Sequence, residues 1–261
     1  MAYAKTVGKL DLYNLAKRNG VAMRTLSKYG VLSNINAGLV GWWKFDETSG
    51  TSAADSSGNG KTATVYASPT WSVGQINNCL YLPGESGKFA TATGVALTAD
   101  FTVAFWVKSF GTAWQGTGST FGFLSTQTSS DSNLGANGIR FDGASGGKGI
   151  TANIRNGANN SELYVGGQEY VPSGAIDVWN HYAATFNNTT KVAKVYWNGV
   201  EGLSSTHGGF TRNASESRPV YIGHLYINHE RNMKGWLDDV RIYNRALSAD
   251  DISALYAVTA P

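Results

Sequence analysis

Carboxylates are the first residues to test for chemistry. Retaining hydrolysis of a glycosidic bond takes two of them about 5 Å apart on one face, which on a strand means acids at alternate positions. The 261-residue chain has no strand of that pattern. Asp46-Glu47 stands where a strand ends, Asp238-Asp239 point to opposite faces, and Glu162 and Glu169 are isolated. No residue is assigned a catalytic role, and the chain is expected not to be an enzyme. Asp238 alternates with Trp236, Val240 and Ile242, which places a carboxylate on an apolar face where it needs partners. Two readings stay open. Asp55 and Asp238 could be calcium ligands, with the backbone of the Ser56-to-Gly60 turn completing an oxygen shell. Alternatively, backbone amides or an arginine satisfy Asp238. Asp239 and Arg241 share the other face and read as a surface pair.

Aromatic faces are the second candidate chemistry, because sugar rings lie flat on them. Trp42, Trp71, Trp114, Tyr164, Tyr170 and Tyr226 qualify by type, and Trp42 and Trp114 are the ligand candidates. Core packing is the competing use of every one. The polar, Gly-rich stretches Thr112 to Gly118 and Ser129 to Asn137 are of the kind that carries recognition. His224 and His229 lack a convincing ligand spacing and are expected at the surface. Cys79 is the single cysteine, so an internal disulfide is excluded, zinc spacings are absent, and a buried apolar role is expected.

The elements that would hold these residues are strands. Leu39, Gly41, Trp43 and Phe45 share one face, with Val40, Trp42, Lys44 and Asp46 on the other. Phe101-Thr-Val-Ala-Phe-Trp-Val-Lys108 is apolar on both faces and reads as a central strand covered on each side. Residues 179–186 and 191–197 read as a hairpin through Asn187-Asn-Thr-Thr190, and Asn198-Gly199 as a second tight turn into Val200. Residues 220–224 and 236–243 are further strands. Leu247 to Tyr256 has helical spacing, with Ser248 as N-cap and acids in the first turn. Glycine at 32 residues and charged residues at 15% fit many turns between apolar faces.

Residues 1–38 differ. They hold Lys5, Lys9, Lys17, Arg18, Arg24 and Lys28 against Asp11, a net of +5; the whole chain is +3, so residues 39–261 carry −2. Leu12, Leu15 and Ala16 share a helical face, and Ala22, Leu26 and Tyr29 repeat the spacing. Two short helices are expected, too short to be stable unless docked. Leu12, Leu15, Leu26 and Tyr29 would supply apolar contact, and Lys17, Arg18, Arg24 and Lys28 would meet an acidic partner. The stretch from Leu15 to Leu26 also resembles a helix-turn-helix, with Ala16, Gly20 and Leu26 at its spacing. A third helix to bury the pair is missing, so nucleic acid is not the expected partner. No apolar leader or membrane-length run is visible, so synthesis in the cytoplasm is expected.

Four blocks together resemble the laminin-G-like jelly rolls of the concanavalin A-like lectin/glucanase superfamily. They are Gly38-Leu-Val-Gly-Trp-Trp-Lys-Phe-Asp-Glu-Thr-Ser-Gly50 with Ala54-Asp-Ser-Ser-Gly-Asn-Gly60, residues 101–108, Trp179-Asn-His-Tyr-Ala with Val195-Tyr-Trp-Asn-Gly-Val200, and Gly235-Trp-Leu-Asp-Asp-Val-Arg-Ile-Tyr-Asn-Arg-Ala-Leu-Ser248. The resemblance implies an all-β, two-sheet antiparallel sandwich over 39–261, behind a short helical arm at 1–38 and closed by a short C-terminal helix. It encourages structural calcium. The polysaccharide-lyase pattern of that superfamily is not found. Two functions follow as expectations. One is a structural subunit on the surface of a virion or other large assembly, a capsid decoration protein, anchored to other subunits by residues 1–38. The other is a carbohydrate-binding or adhesion module with glycan partners.

Overall fold

In a computed structural model the described residues are 24–26, 32–109, 121–126, 139–143, 150–155, 162–166, 177–208, 210, 212, 216–226 and 229–260. The strands run in chain order as β1 (Arg24–Leu26), β2 (Leu32–Asn34), β3 (Leu39–Trp43), β4 (Ser52–Ala53), β5 (Ala63–Val65), β6 (Thr70–Val73) and β7 (Asn78–Pro83). There follow β8 (Ala90–Leu97), β9 (Phe101–Ser109), β10 (Phe121–Ser125), β11 (Ile139–Gly143), β12 (Ile150–Arg155) and β13 (Glu162–Gly166). The last are β14 (Asn180–Asn187), β15 (Val192–Trp197), β16 (Val200–Thr206), β17 (Glu216–Ile222), β18 (His224–Tyr226), β19 (His229–Asn232) and β20 (Lys234–Tyr243), and then helix α1 (Ala249–Thr259).

Two antiparallel sheets stack face to face. The first has the order β16-β15-β14-β9-β20-β7-β6, with β3 also pairing β20; the second has the order β13-β12-β11-β10-β17-β8-β5-β4. Alternation decides which residues enter the space between them. Phe101, Val103, Phe105 and Val107 of β9 meet Phe123, Phe141, Ala152 and Ile154 of the second sheet in one continuous core. The Phe105 ring stacks on Phe123 at 5.6 Å. The turns follow from side chains as expected. Asn187 caps its hairpin by accepting from the Thr189 and Thr190 amides, and Asn198-Gly199 takes positive φ at both positions, which suits a two-residue hairpin.

The other parity of β9 is buried as well. Ala104, Ala183, Tyr196 and Tyr243 face outward and are covered by Ile252 and Leu255 of α1, with Leu247 and Ile35. The helix starts in a capping box, Ser248 accepting from the Asp251 amide and Asp251 from the Ser248 amide. It is tied to β9 at both ends. The Leu247 amide donates to Thr102 Oγ1 at 2.9 Å, and Trp106 Nε1 donates to Thr259 Oγ1 at 2.9 Å.

The N-terminal arm corrects one expectation. The helical spacing of Ala22, Leu26 and Tyr29 does not produce a helix: Arg24–Leu26 is strand β1, paired in register with β2 as Leu26↔Leu32. Three apolar positions cannot hold so short a helix, whereas two paired strands satisfy each other's backbone groups. The helix expected around Leu12, Leu15 and Ala16 lies outside the described residues, as do Lys17, Arg18, Lys28 and Tyr29. Ile35 is fully buried under α1, and the Ala37 carbonyl accepts from Arg245 Nε at 2.7 Å.

Ile35 therefore joins the arm to the body, and Ile35→Ala is expected to destabilise the fold by about 2–5 kcal/mol. Urea unfolding of the variant checks this; an unchanged midpoint would mean that the contact beneath α1 contributes nothing.

Candidate functional site

Asp55 sits in the loop after β4 and is surrounded by N–H groups. Oδ1 accepts from the Trp42 and Ser57 amides at 3.0 and 2.9 Å, and Oδ2 from the Lys61 amide at 2.8 Å. Burial works against its ionisation, but hydrogen bonds from Ser57, Lys61 and Trp42 outweigh it and hold the carboxyl below the usual range. These donors make Asp55 a carboxylate cap that fixes the 55–61 loop against β3. They do not fit a calcium shell, which needs oxygen ligands. Among the described residues no three His, Cys, Asp or Glu side chains gather as a metal site.

Asp238 is held elsewhere, by the turn between β6 and β7. Its Oδ2 accepts from the Ile76 amide at 2.8 Å. The turn fits so closely that a Cβ at Gly74 would lie 2.6 Å from the same oxygen. Asp46 pins the turn from its other side, accepting from the Asn78 amide and from Asn77 Nδ2. Burial, first, pushes the Asp238 carboxyl up to about 8; the Ile76 and Gln75 amides oppose it, and the charges of Asp239 and Asp46 add to it.

Period-two counting fails on β20. The register runs Asp238↔Trp106 and then Arg241↔Ala104, so β20 carries one extra residue, and Asp239 takes φ 49. This bulge flips the parity. Val240 and Ile242 point into the core, whereas Asp238 lies opposite outward-facing Trp106. Asp239 and Asp238 thus serve the same outer face instead of opposite ones. The Asp239–Arg241 pair, expected at the surface, is buried, with Nε 3.0 Å from Oδ2. Trp42 Nε1 donates to Asp239 Oδ1 at 2.5 Å, and the Trp42 ring carries Arg241 at 4.1 Å and Lys44 at 4.7 Å. The ring proposed for ligand contact is therefore engaged by two cations. Trp114 lies outside the described residues.

Of the two histidines expected at the surface, His224 is not superficial, and the side chain of His229 lies outside the described residues. His224 is buried, with Nδ1 2.9 Å from Asn232 Oδ1 and its ring stacked on Phe89, because the break at Gly223 turns it back over the sheet. His181 lies under α1 between Trp106 and Tyr256. Burial and then Arg241 lower it to about 3, so it stays neutral. Burial lifts the Cys79 thiol to about 12, the inert role expected of it.

What remains for recognition is the outer face of the second sheet and its rim. Register joins Thr64, Thr91, Tyr221, Ser125, Arg140 and Asn153 in one cross-strand row. Their inward neighbours, Ala90, Ile222, Ile139, Phe141 and Ala152, belong to the core. The row ends at a rim of aromatic rings around Tyr66, Phe89 and His224. No search by spacing could have found this row, because its members are far apart in sequence and only strand order brings them together.

The family model of the concanavalin A-like lectin/glucanases superfamily matches residues 83–253. No curated protein matches the chain in sequence. Among solved structures, the binding domain of botulinum neurotoxin serotype G is 21% identical with a TM-score of 0.64, over 84% of this chain and 51% of that one. The binding domain of Paraclostridial Mosquitocidal Protein 1 is 17% identical with a TM-score of 0.65, over 85% and 52%. The chain thus spans about half the length of these toxin domains. Domain 4 of AbnA, an extracellular arabinanase from Geobacillus stearothermophilus solved with arabinotriose, is 22% identical with a TM-score of 0.59, over 84% and 98%.

Asp238 generates a pH prediction. Its folded pKa lies above the unfolded value, so its contribution is fully present below about pH 4 and is lost as pH rises towards 8. Asp238→Asn keeps an oxygen for the Ile76 amide and removes the titration. The variant is expected to gain on the wild type by on the order of 1–3 kcal/mol between pH 5 and pH 8. Parallel unfolding midpoints at both pH values would contradict it.

Proposed function

The chain belongs to the concanavalin A-like lectin/glucanases superfamily, and we propose that it acts there as a non-catalytic module that binds glycans. The contrast between its two outer faces carries this reading. One face is sealed by α1 over Trp106, Tyr196 and Tyr243. The other leaves hydroxyl and guanidinium groups in reach of solvent at Thr64, Thr91 and Arg140, while Tyr221, Ser125 and Asn153 of the same row are buried. Such groups bond sugar hydroxyls, and flat rings at the rim take the apolar face of a sugar. Catalysis is not part of the proposal. Asp55 and Asp238 are bound by backbone amides, and Asp239 by Arg241 and Trp42. A glycan array probed with the full chain is expected to show one preferred saccharide class, with no reducing ends released from polysaccharides on prolonged incubation. Binding to none of the glycans, or steady hydrolysis, would overturn it.

A second observation favours an attachment role for residues 1–38. Strands β1 and β2 pair with each other and with neither large sheet, and the segment carries +5 against −2 for the body. We propose that it docks the module on acidic protein subunits of a larger assembly, a virion surface being one such setting. Removing residues 1–34, which spares Ile35, is expected to leave a folded glycan-binding module that no longer associates. Light scattering of both forms, at low and high salt, reads the difference, since exposed charge pairs are screened. A truncated form that still associates would place the anchor elsewhere.

A further inference from the structure

We propose that a groove where the edges of the two sheets meet, walled by Tyr66 and Tyr81, is a sugar-stacking site that continues onto Trp236. The inference rests on the glycan-binding reading and adds the place and the residues. The groove is shallow and open, and Val65, Leu80 and Leu82 lie at its base. Ser68, Thr70 and Lys88 stand around its mouth.

The walls are built to present rings. Tyr66 remains 45% exposed, yet it is not loose. It stacks on Phe89 at 4.9 Å and 27°, and Phe89 stacks on His224 at 5.1 Å and 22°. Its amide donates to the Phe89 carbonyl at 2.9 Å. The turn that follows is held in an uncommon conformation, with Ala67 at φ 57 and Ser68 at φ 56. Lys88 Nζ donates to the Ala67 carbonyl and fastens that turn. Non-glycine residues in the left-handed region persist only where their surroundings hold them, and they gather at binding sites. On the opposite wall Tyr81 lies 5.1 Å from Trp236, and Lys108 Nζ sits 5.2 Å from the Trp236 ring.

The chemistry selects a saccharide. A sugar ring has an apolar C–H face and a rim of hydroxyls. The groove answers both, with tyrosine rings over an apolar floor and hydroxyl and ammonium groups at its edge. Rings fixed before binding lose little entropy on contact, which is how a shallow site gains affinity. Tyr81 belongs to both the groove and the Trp236 pair, so the surface runs on beyond a single ring and suits an oligosaccharide.

The test is calorimetric titration of the full chain with arabinotriose, cellotriose, 3′-sialyllactose and the strongest glycan of the array. For the saccharide bound by wild type, Tyr66→Ala and Tyr81→Ala are each expected to weaken binding at least about tenfold. Tyr66→Phe should stay within about twofold, because it keeps the stacking face. Wild-type indole fluorescence should shift on binding, and Trp236→Ala should remove most of that shift. Tyr66 is exposed, so its variant is expected to keep the wild-type melting temperature, and it decides the matter if Tyr81→Ala unfolds. Wild-type affinity in folded Tyr66→Ala would overturn this site while leaving glycan binding intact. Absence of any saccharide binding by wild type would instead remove the functional reading beneath it.

Discussion

Strand β9 is buried on both faces, and the rest of the molecule is arranged around that demand. A sandwich sheet ordinarily covers one face and leaves the other wet. Here the outward parity is Thr102, Ala104 and Trp106, beside Ala183 and Tyr243 on the flanking strands. Leaving one such large side chain in water forgoes roughly 1.5–3 kcal/mol. Helix α1 and Ile35 supply the cover. The hydrogen bonds at the two ends of α1 anchor it along β9, from where it also covers Ala183, Tyr196 and Tyr243 on the neighbouring strands.

Covering that face also encloses polar groups, and their pairing explains the odd geometry of β20. Arg241 is fully buried, and Asp239 is what makes its burial tolerable. A regular strand would send Asp239 into the core with Val240 outside. The bulge at Asp239 keeps the carboxylate beside the guanidinium and the Trp42 indole while returning Val240 and Ile242 to the core. Asp238 is the residual cost. It is buried against the 74–77 turn and disfavoured as an anion, yet it ties that turn, and so the β6–β7 edge, to the centre of the sheet.

A division of labour follows between the sheets. The first is closed outside by its own C-terminal segment and serves as scaffold. The second turns hydrogen-bonding side chains outward, of which Thr64, Thr91 and Arg140 reach solvent, and its β4–β5 side meets the β6–β7 side of the first around Tyr66 and Tyr81. Recognition is thus placed on rigid strands and pinned turns, where a ring can be held ready before a ligand arrives.

Local signals carried most of the architecture. The two-sided apolar run of residues 101–108, the Asn198-Gly199 turn and the Ser248 cap each act within a few residues, so the order of the chain suffices to read them. Non-local effects decided the rest. The spacing in Ala22, Leu26 and Tyr29 suggested a helix, but pairing of Arg24–Leu26 with Leu32–Asn34 prevailed. His224 was expected at the surface and is instead stacked beneath the sheet edge. The faces of Asp238 and Asp239 were misread because one inserted residue reverses every later side chain, and nothing in the local pattern announces it. The aromatic groove was the least visible of all. Tyr66, Tyr81, Phe89 and Trp236 become neighbours only through strand order, since a contact made across two sheets leaves no period in the sequence.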